Sequence, residues 1–387
     1  MDVIDILSRV LYLVEVRKLS LDVSFRKTCK GRLCARKLED RERIYEKARE
    51  FIENVIKLRC VYGDLSRKAL ARVFVEKGVG NRDTMDPWCR YSVPRWFYEE
   101  LSGLLGSEVW ALLGSLGRRV WWLRLNTIKA PEERIVRMLE DEAIIERDRD
   151  LWYLFRVTES KKPIRLLRAV KQGLAIPQDK ASCLVVEALR PQAGVSILDM
   201  TAAPGIKTSL IVMLTEGRVR LVASDISRRR IVMMKNLLRD LGAMGHVDII
   251  LTDSAHIDYK QRFDKVLLDA PCSSSGSISK EPAVRLHLLR KSRVEYYVNI
   301  QRSLLSRAIE LGSEVIYATC SLLPEEGEEV VRIFLDRIEL RDPGIRASRG
   351  YGVYDIAPLV ARTFPHIHDA QGFFISRVIA DQRGTPI

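Results

Sequence analysis

Two short stretches of this 387-residue chain put thiols where covalent chemistry is possible: "LLDAPCSSSG", residues 267–276, and "YATCSLLPEEGEE", residues 317–329. Each cysteine closes an apolar run, Cys272 three residues after Asp269 and Cys320 directly after Thr319. Cysteine is among the most often buried residue types, so a single one needs no function. A thiolate is also a strong nucleophile, and at the open edge of a sheet, beside a carboxylate, it could form and break a bond to a substrate. The choice depends on what else reaches that edge.

The elements that would position these thiols can be read from hydrophobic patterning. The runs "GVSILDM", "VRLVASDI", "VDIILTD", "FDKVLLDAP" and "EVIYATCS" alternate with helical patterns, and each ends at a polar or small residue. Strands that are apolar nearly throughout, with helices between them, predict an α/β fold with a parallel sheet covered on both faces. Ligands bind at the carboxyl ends of such strands. The first run enters "DMTAAPGIKTSLIVML", whose small residues and Gly205 allow a tight turn before a helix. This is neither G-x-G-x-x-G nor a phosphate-loop pattern, so a nucleotide pyrophosphate is not the expected guest. The second run ends in Asp225, followed by a helix with Arg230 in its first turns; a carboxylate there can accept both hydroxyls of a ribose. The third ends in Asp253, placed to accept from an adenine amino group. Each Asp alone could cap a helix. On successive strand ends they predict an adenosine pocket.

Composition sets the wider frame. A formal net charge of +13 with 30% charged residues of both signs describes a folded basic protein and favours a polyanionic partner, most simply nucleic acid. No apolar run approaches the roughly 18 residues that span a bilayer, so no membrane partner is expected. Seven cysteines without regular spacing, and acids at the start of the chain, predict a cytoplasmic protein whose thiols are mostly reduced. Few Asn and Gln beside many Arg, Glu, Val and Ile suggest a thermophilic source. Residues 1–88 read as a helical domain with a basic run, "RKTCKGRLCARK", in which Cys29 and Cys34 lack the second pair that zinc would need. Residues 89–165 read as a small α/β segment, and residues 166–387 as the domain that carries the thiols. The five histidines show no metal spacing, and no metal is expected. Lys161, Lys162, Arg165, Arg168, Lys171, Lys280, Arg285, Arg290 and Lys291 are candidates for phosphate contact.

The motifs DMTAAPGIKT, DAPCSSSG, YATCSLLPEE and GFFISRV, in this order over roughly residues 90–380, resemble those of the Nol/Nop/Sun (NSUN) family of S-adenosylmethionine-dependent RNA cytosine-5 methyltransferases. The resemblance implies a Rossmann-like methyltransferase core preceded by a small α/β RNA-binding segment marked by Arg124, Leu125 and Asn126. The helical start resembles the NusB-like, RNA-binding domain of bacterial ribosomal members and leans toward rRNA over tRNA; no obligate protein partner is implied. Carried over by position, the resemblance makes Cys320 the nucleophile toward C6 of cytosine and Cys272 the residue that assists release. Asp269 would hold the cytosine N3 and amino edge, and Lys207 would orient cofactor and base. Thr201, Ala202, Ala203, Pro204, Gly205, Ile206, Lys207, Asp225, Arg230, Asp253 and Asp269 would line the S-adenosyl-L-methionine site. Three positions depart from the family pattern: Thr201 stands where cysteine is usual, Ile206 where a second glycine is usual, and Gly327 closes a Glu-Glu-Asn motif as Glu-Glu-Gly. Two rivals are a DNA cytosine methyltransferase, whose nucleophile would be in the Pro-Cys motif, and an RNA-binding assembly factor.

Overall fold

The computed structural model describes residues 2–30, 34, 38–80, 85–257, 259 and 262–380. The chain divides into two compact units, one of residues 1–119 with 273–296, the other of residues 120–272 with 297–387. The segment that begins immediately after Cys272 is therefore folded with the N-terminal helices.

In the first unit, helices Val3–Glu15, Leu21–Thr28, Leu38–Glu53, Val55–Tyr62 and Arg67–Lys77 turn apolar side chains inward. Ile6, Val10, Phe25, Phe51, Ile52, Leu70 and Phe74 form one buried cluster, to which Ala283 and Leu286 contribute. Polar contacts fix the same segment: Glu281 Oε1 accepts from the Leu21 amide at 2.9 Å, and Arg49 donates to the Lys280 carbonyl at 3.1 Å. Arg285 is buried and donates to the carbonyls of Tyr91, Ser92 and Leu116. It satisfies backbone acceptors at the ends of neighbouring elements, which corrects its reading as a phosphate contact.

The cysteines also correct an expectation. Cys29 bonds to Cys34 and Cys60 to Cys89, leaving Cys183, Cys272 and Cys320 outside disulfides. The irregular spacing hid this because Cys60 and Cys89 lie on separate helices, Val55–Tyr62 and Pro87–Arg90, which the fold brings to a Cα separation of 6.0 Å. Half of the basic run "RKTCKGRLCARK", residues 31–33 and 35–37, lies outside the described residues.

The second unit has two sheets. Strands β1 (Trp121–Leu125), β2 (Ala143–Arg147), β3 (Leu154–Ser160) and β4 (Ala175–Pro177) form an antiparallel sheet of order β2-β3-β1-β4, whose last strand lies beyond residue 165. The larger sheet contains β5 (Ser196–Asp199), β6 (Arg220–Asp225), β7 (Val247–Leu251), β8 (Phe263–Asp269), β9 (Gly312–Thr319), β10 (Ile338–Arg341), β11 (Ser348–Arg349), β12 (Val360–Thr363) and β13 (Phe373–Ala380). Its order is β11-β12-β13-β9-β8-β5-β6-β7, with β10 on β13. The five strands read from apolar runs, β5 to β9, pair in parallel, whereas β10 to β13 pair antiparallel. Helices cover both faces of this Rossmann-like sheet, Lys180–Leu189 packing on β8, β9 and β13, and Arg228–Asp240 on β6 and β7.

Arg124 and Asn126 join the small sheet to this core. Arg124 is fully buried and donates to Gln178 Oε1 and Ser209 Oγ, each at 2.7 Å; burial pushes its pKa down to about 10. Asn126 Nδ2 donates to the carbonyls of Gly173 and Leu241. Both residues hold the site from within.

Closing the Cys60–Cys89 link, at a sequence separation of 29 residues, restricts the unfolded chain by about 3–4 kcal/mol. The paired variant Cys60→Ser/Cys89→Ser is expected to unfold several degrees lower in calorimetry than the parent. Reductant should lower the parent's midpoint by more than that variant's, which keeps only the short Cys29–Cys34 link.

Candidate active site

Parallel pairing aligns strand ends, and here it aligns the two thiols. Asp269 at the end of β8 sits opposite Ala318 near the end of β9, and the Ala270 amide continues the ladder to the Ala318 carbonyl at 2.8 Å. The chain then leaves both strands at the same edge. Cys272 Sγ and Cys320 Sγ lie 2.9 Å apart, Cys272 buried and Cys320 partly exposed. Thr201 Oγ1 donates to the Asp269 carbonyl at 2.8 Å, fastening the end of the neighbouring β5 to the same edge.

Lys207 is in the first turn of helix Ile206–Leu214 and donates from Nζ to Asp269 Oδ2 at 2.6 Å. Burial alone would drive this ammonium toward neutrality. The charge and hydrogen bond of Asp269, together with Cys320 and Asp199, outweigh burial, so the lysine pKa lies above its ordinary value. The Phe373 ring lies 5.5 Å below the same ammonium.

The turn from β5 into that helix is tight. Gly205 has a φ of +100°, and a Cβ there would come within 2.9 Å of Met234 Cγ, so glycine is required. Around the turn are Ala202, Ala203 and Pro204, with Arg230 donating to the Ala203 carbonyl. Asp225, buried at the end of β6, accepts from the Ser227 amide at 2.9 Å and from Arg230 at 3.2 Å. A carboxylate has about four lone-pair positions, so acceptor capacity remains for a ligand. Asp253 is exposed, where it accepts from the Ala255 amide and contacts His256 Nδ1 at 3.0 Å.

Several polar groups around this edge carry no signal as isolated residues. Asp199 is buried at the end of β5; desolvation raises its pKa to about 7, although Thr208 Oγ1 donates to it at 2.8 Å. The only hint was a carboxylate at the end of an apolar strand, as for Asp225 and Asp269. Gln301, Glu326, Glu328 and Arg362 are also fully buried. Of the four carboxylates in the "PEEGEE" run, those of Glu326 and Glu328 are interior.

Of the basic candidates, Lys162 and Arg168 pair with Glu142, and Lys291 pairs with Glu100. His368 Nδ1 accepts from the Phe364 amide at 2.9 Å, a backbone role.

Residues 186–379 match the family described as 16S rRNA methyltransferase RsmB/F. The chain belongs to this family. The RsmB/F family groups with the NOL1/NOP2/Sun methyltransferases. A mouse relative named 28S rRNA (cytosine-C(5))-methyltransferase is 32% identical over 279 residues, 66% of this chain and 34% of that protein. Ribosomal RNA small subunit methyltransferase B of Proteus mirabilis is 30% identical over 258 residues, 65% of this chain and 60% of that protein. The chain thus spans less than two thirds of the length of these curated relatives. Among solved structures, PH0851 superposes with a TM-score of 0.81 at 21% identity, covering 98% of this chain and 99% of that one. A methyltransferase homolog from Pyrococcus horikoshii gives 0.66 at 26% identity, covering 76% and 99%. No described helix is long and apolar enough to cross a membrane.

The Asp199 environment predicts a pH signature. The unfolded chain loses this proton near pH 4, whereas the folded protein keeps it until about pH 7. The stability contributed by the bound proton is complete below pH 4 and falls as pH rises toward 7, by up to about 1.4 kcal/mol per pH unit. Urea unfolding of parent and Asp199→Asn across pH 4–8 should show a relative stability slope in this window that vanishes above it.

Proposed function

We propose that this RsmB/F family chain transfers a methyl group from S-adenosyl-L-methionine to C5 of cytosine in RNA through a covalent adduct at Cys320. The observation that carries the reading is the pair of thiols 2.9 Å apart beside the Lys207–Asp269 ion pair. Neither core packing nor a binding role requires two thiols and an ion pair at one strand edge.

The residues at the β5 and β6 ends fit a nucleoside methyl donor. The Thr201 to Lys207 turn leaves no space for a Cβ at Gly205, and Asp225 keeps lone pairs for ribose hydroxyls. Asp269, Arg230 and Asp253 complete the proposed lining, with Asp253 nearest the adenine end. When bound, S-adenosylmethionine supplies a methyl group on a cationic sulfur.

C5 of cytosine is a weak nucleophile until a thiolate adds at C6. Cys320, the more accessible thiol, makes that bond; the C5–C6 π electrons shift toward C5 and the ring's N3 edge. Asp269 accepts from the cytosine amino edge while Lys207 balances the charge gathered there. C5 would then take the methyl carbon as that carbon's bond to the donor sulfur breaks, the electron pair staying on sulfur to leave a neutral thioether. Cys272 assists removal of the C5 proton, the electron pair reforms C5=C6, and Cys320 leaves as thiolate. The target carbon is inaccessible in a stacked helix, so the cytosine must be unstacked to reach the edge.

The net basic charge supports a polyanionic substrate, and the named relatives support ribosomal RNA over tRNA. Labelled S-adenosylmethionine incubated with unmodified RNA, sorted by size and analysed as nucleosides, should give 5-methylcytidine in ribosomal RNA. Cys320→Ala is expected to fall to background, while Cys272→Ala accumulates an RNA–protein complex on denaturing gels. Trapping by Cys320→Ala instead would reverse the roles of the thiols. Intact RNA binding with no transfer by the parent would favour an assembly factor.

A further inference from the structure

The two thiols are on loops, and loops alone do not hold sulfurs at a working separation. Beneath the loop that follows Cys320 is a polar hub inside the large sheet. Arg362 on β12 and Glu328 are both fully buried and form an ion pair, with Arg362 Nε donating to Glu328 Oε1 at 2.8 Å. The same guanidinium donates from Nη1 to the Ser321 carbonyl at 3.0 Å and from Nη2 to the Leu323 carbonyl at 3.4 Å. It lies over the Tyr351 ring at 4.2 Å, and Tyr351 in turn donates from its hydroxyl to the Leu322 carbonyl at 2.7 Å. Three consecutive carbonyls after the nucleophile are therefore gripped by one buried cluster. Gly327 leaves the necessary room, since a Cβ there would come within 2.8 Å of both Arg362 Nη2 and the Phe374 ring. That accounts physically for glycine in the Glu-Glu-Gly motif of this chain.

A second clamp joins this loop to the other thiol. Gln301 is fully buried, and its Nε2 donates to the Pro271 carbonyl, next to Cys272, at 2.9 Å and to Glu326 Oε1 at 3.2 Å. The other Glu326 oxygen accepts from Ser321 Oγ, next to Cys320, at 2.6 Å. One chain of bonds thus runs from the backbone beside Cys272 to the side chain beside Cys320.

We infer that Arg362 and Gln301 are positioning residues that set the separation and aim of the two thiols, acting through the Ser321–Leu323 carbonyls and through Glu326. The inference deepens the Cys320 reading and rests on it for its effect on turnover. Neither residue reaches the reacting atoms. Arginine is required at 362 because a planar fork can serve a carboxylate and two carbonyls together, which a lysine ammonium cannot.

The test uses the full chain with its disulfides intact. Removing the Arg362 charge alone would leave Glu328 uncompensated and risk unfolding. Arg362→Lys keeps the charge, the double variant Arg362→Met/Glu328→Gln keeps neutrality, and Gln301→Leu keeps volume. Each is checked by circular dichroism and cofactor titration. Two readouts follow: bridging of Cys272 and Cys320 by phenylarsine oxide, which requires two thiols at close range, and steady-state methyl transfer. In all three variants bridging is expected to weaken. The Arg362 variants should lose roughly 10²-fold in kcat, the effect of about 1 Å of misplacement, with KM for the methyl donor unchanged. Gln301→Leu should also accumulate the covalent RNA complex because Cys272 is displaced. Parent-like bridging in the folded variants overturns the inference whatever the rates. A parent protein that bridges the arsenical but transfers no methyl group contradicts the Cys320 reading instead, so the two failures are distinguishable.

Discussion

The parallel ladder between β8 and β9 is the constraint on which the rest depends. Parallel strands end at the same edge, and a register with Asp269 opposite Ala318 brings two loops out side by side. Cys272 follows one strand by three residues and Cys320 follows the other by one, so the register alone brings them near each other. A shift of two residues would keep every side chain on its face of the sheet yet move one loop by about 7 Å, separating the sulfurs. The flanking parallel strands extend the same logic, with β5 bringing Lys207 and Thr201 to Asp269 and β6 presenting Asp225 beside them.

This edge requires burying charge, which the fold accomplishes by pairing. Lys207 with Asp269 and Arg362 with Glu328 are ion pairs largely or wholly removed from water. Such pairs are weak sources of stability, because desolvation offsets much of the attraction, but they define geometry: breaking one leaves a charge with nowhere to go. Asp199 solves the same problem differently, keeping a proton up to about pH 7. Phe373 and Phe374 contribute rings under Lys207 and Arg362, so that the antiparallel half of the sheet supports the parallel half that carries the thiols.

The parallel strands were legible because burial on both faces makes them apolar throughout, and their carboxylates were legible because each stands at the end of such a run. What escaped were residues whose environment arises only in three dimensions. Glu326 and Glu328 sit in a run of four acids, and their burial follows from Gln301 and Arg362, which are distant in sequence. Arg285 looked like a cation for RNA, whereas three backbone carbonyls claim it. The antiparallel strands β10 to β12 are only two to four residues long and gave no alternating signal, and β13 was marked only by the GFFISRV motif. The disulfides escaped for the same topological reason, and they run against the expectation of mostly reduced thiols.

Of the two thiols, Cys320, and not Cys272, is the one proposed to bond to the substrate. RNA in which cytosine carries nitrogen in place of C5 has no C5 proton to lose, so an adduct formed on it cannot be released by elimination. Incubating the parent protein and methyl donor with such RNA, digesting both components and sequencing the nucleotide-bearing peptide by mass spectrometry identifies the attached residue directly. A nucleotide on Cys320 in the peptide containing "YATCSLLPEE" is the predicted result. Attachment at Cys272, or recovery of both peptides unmodified while the RNA is methylated, would contradict it.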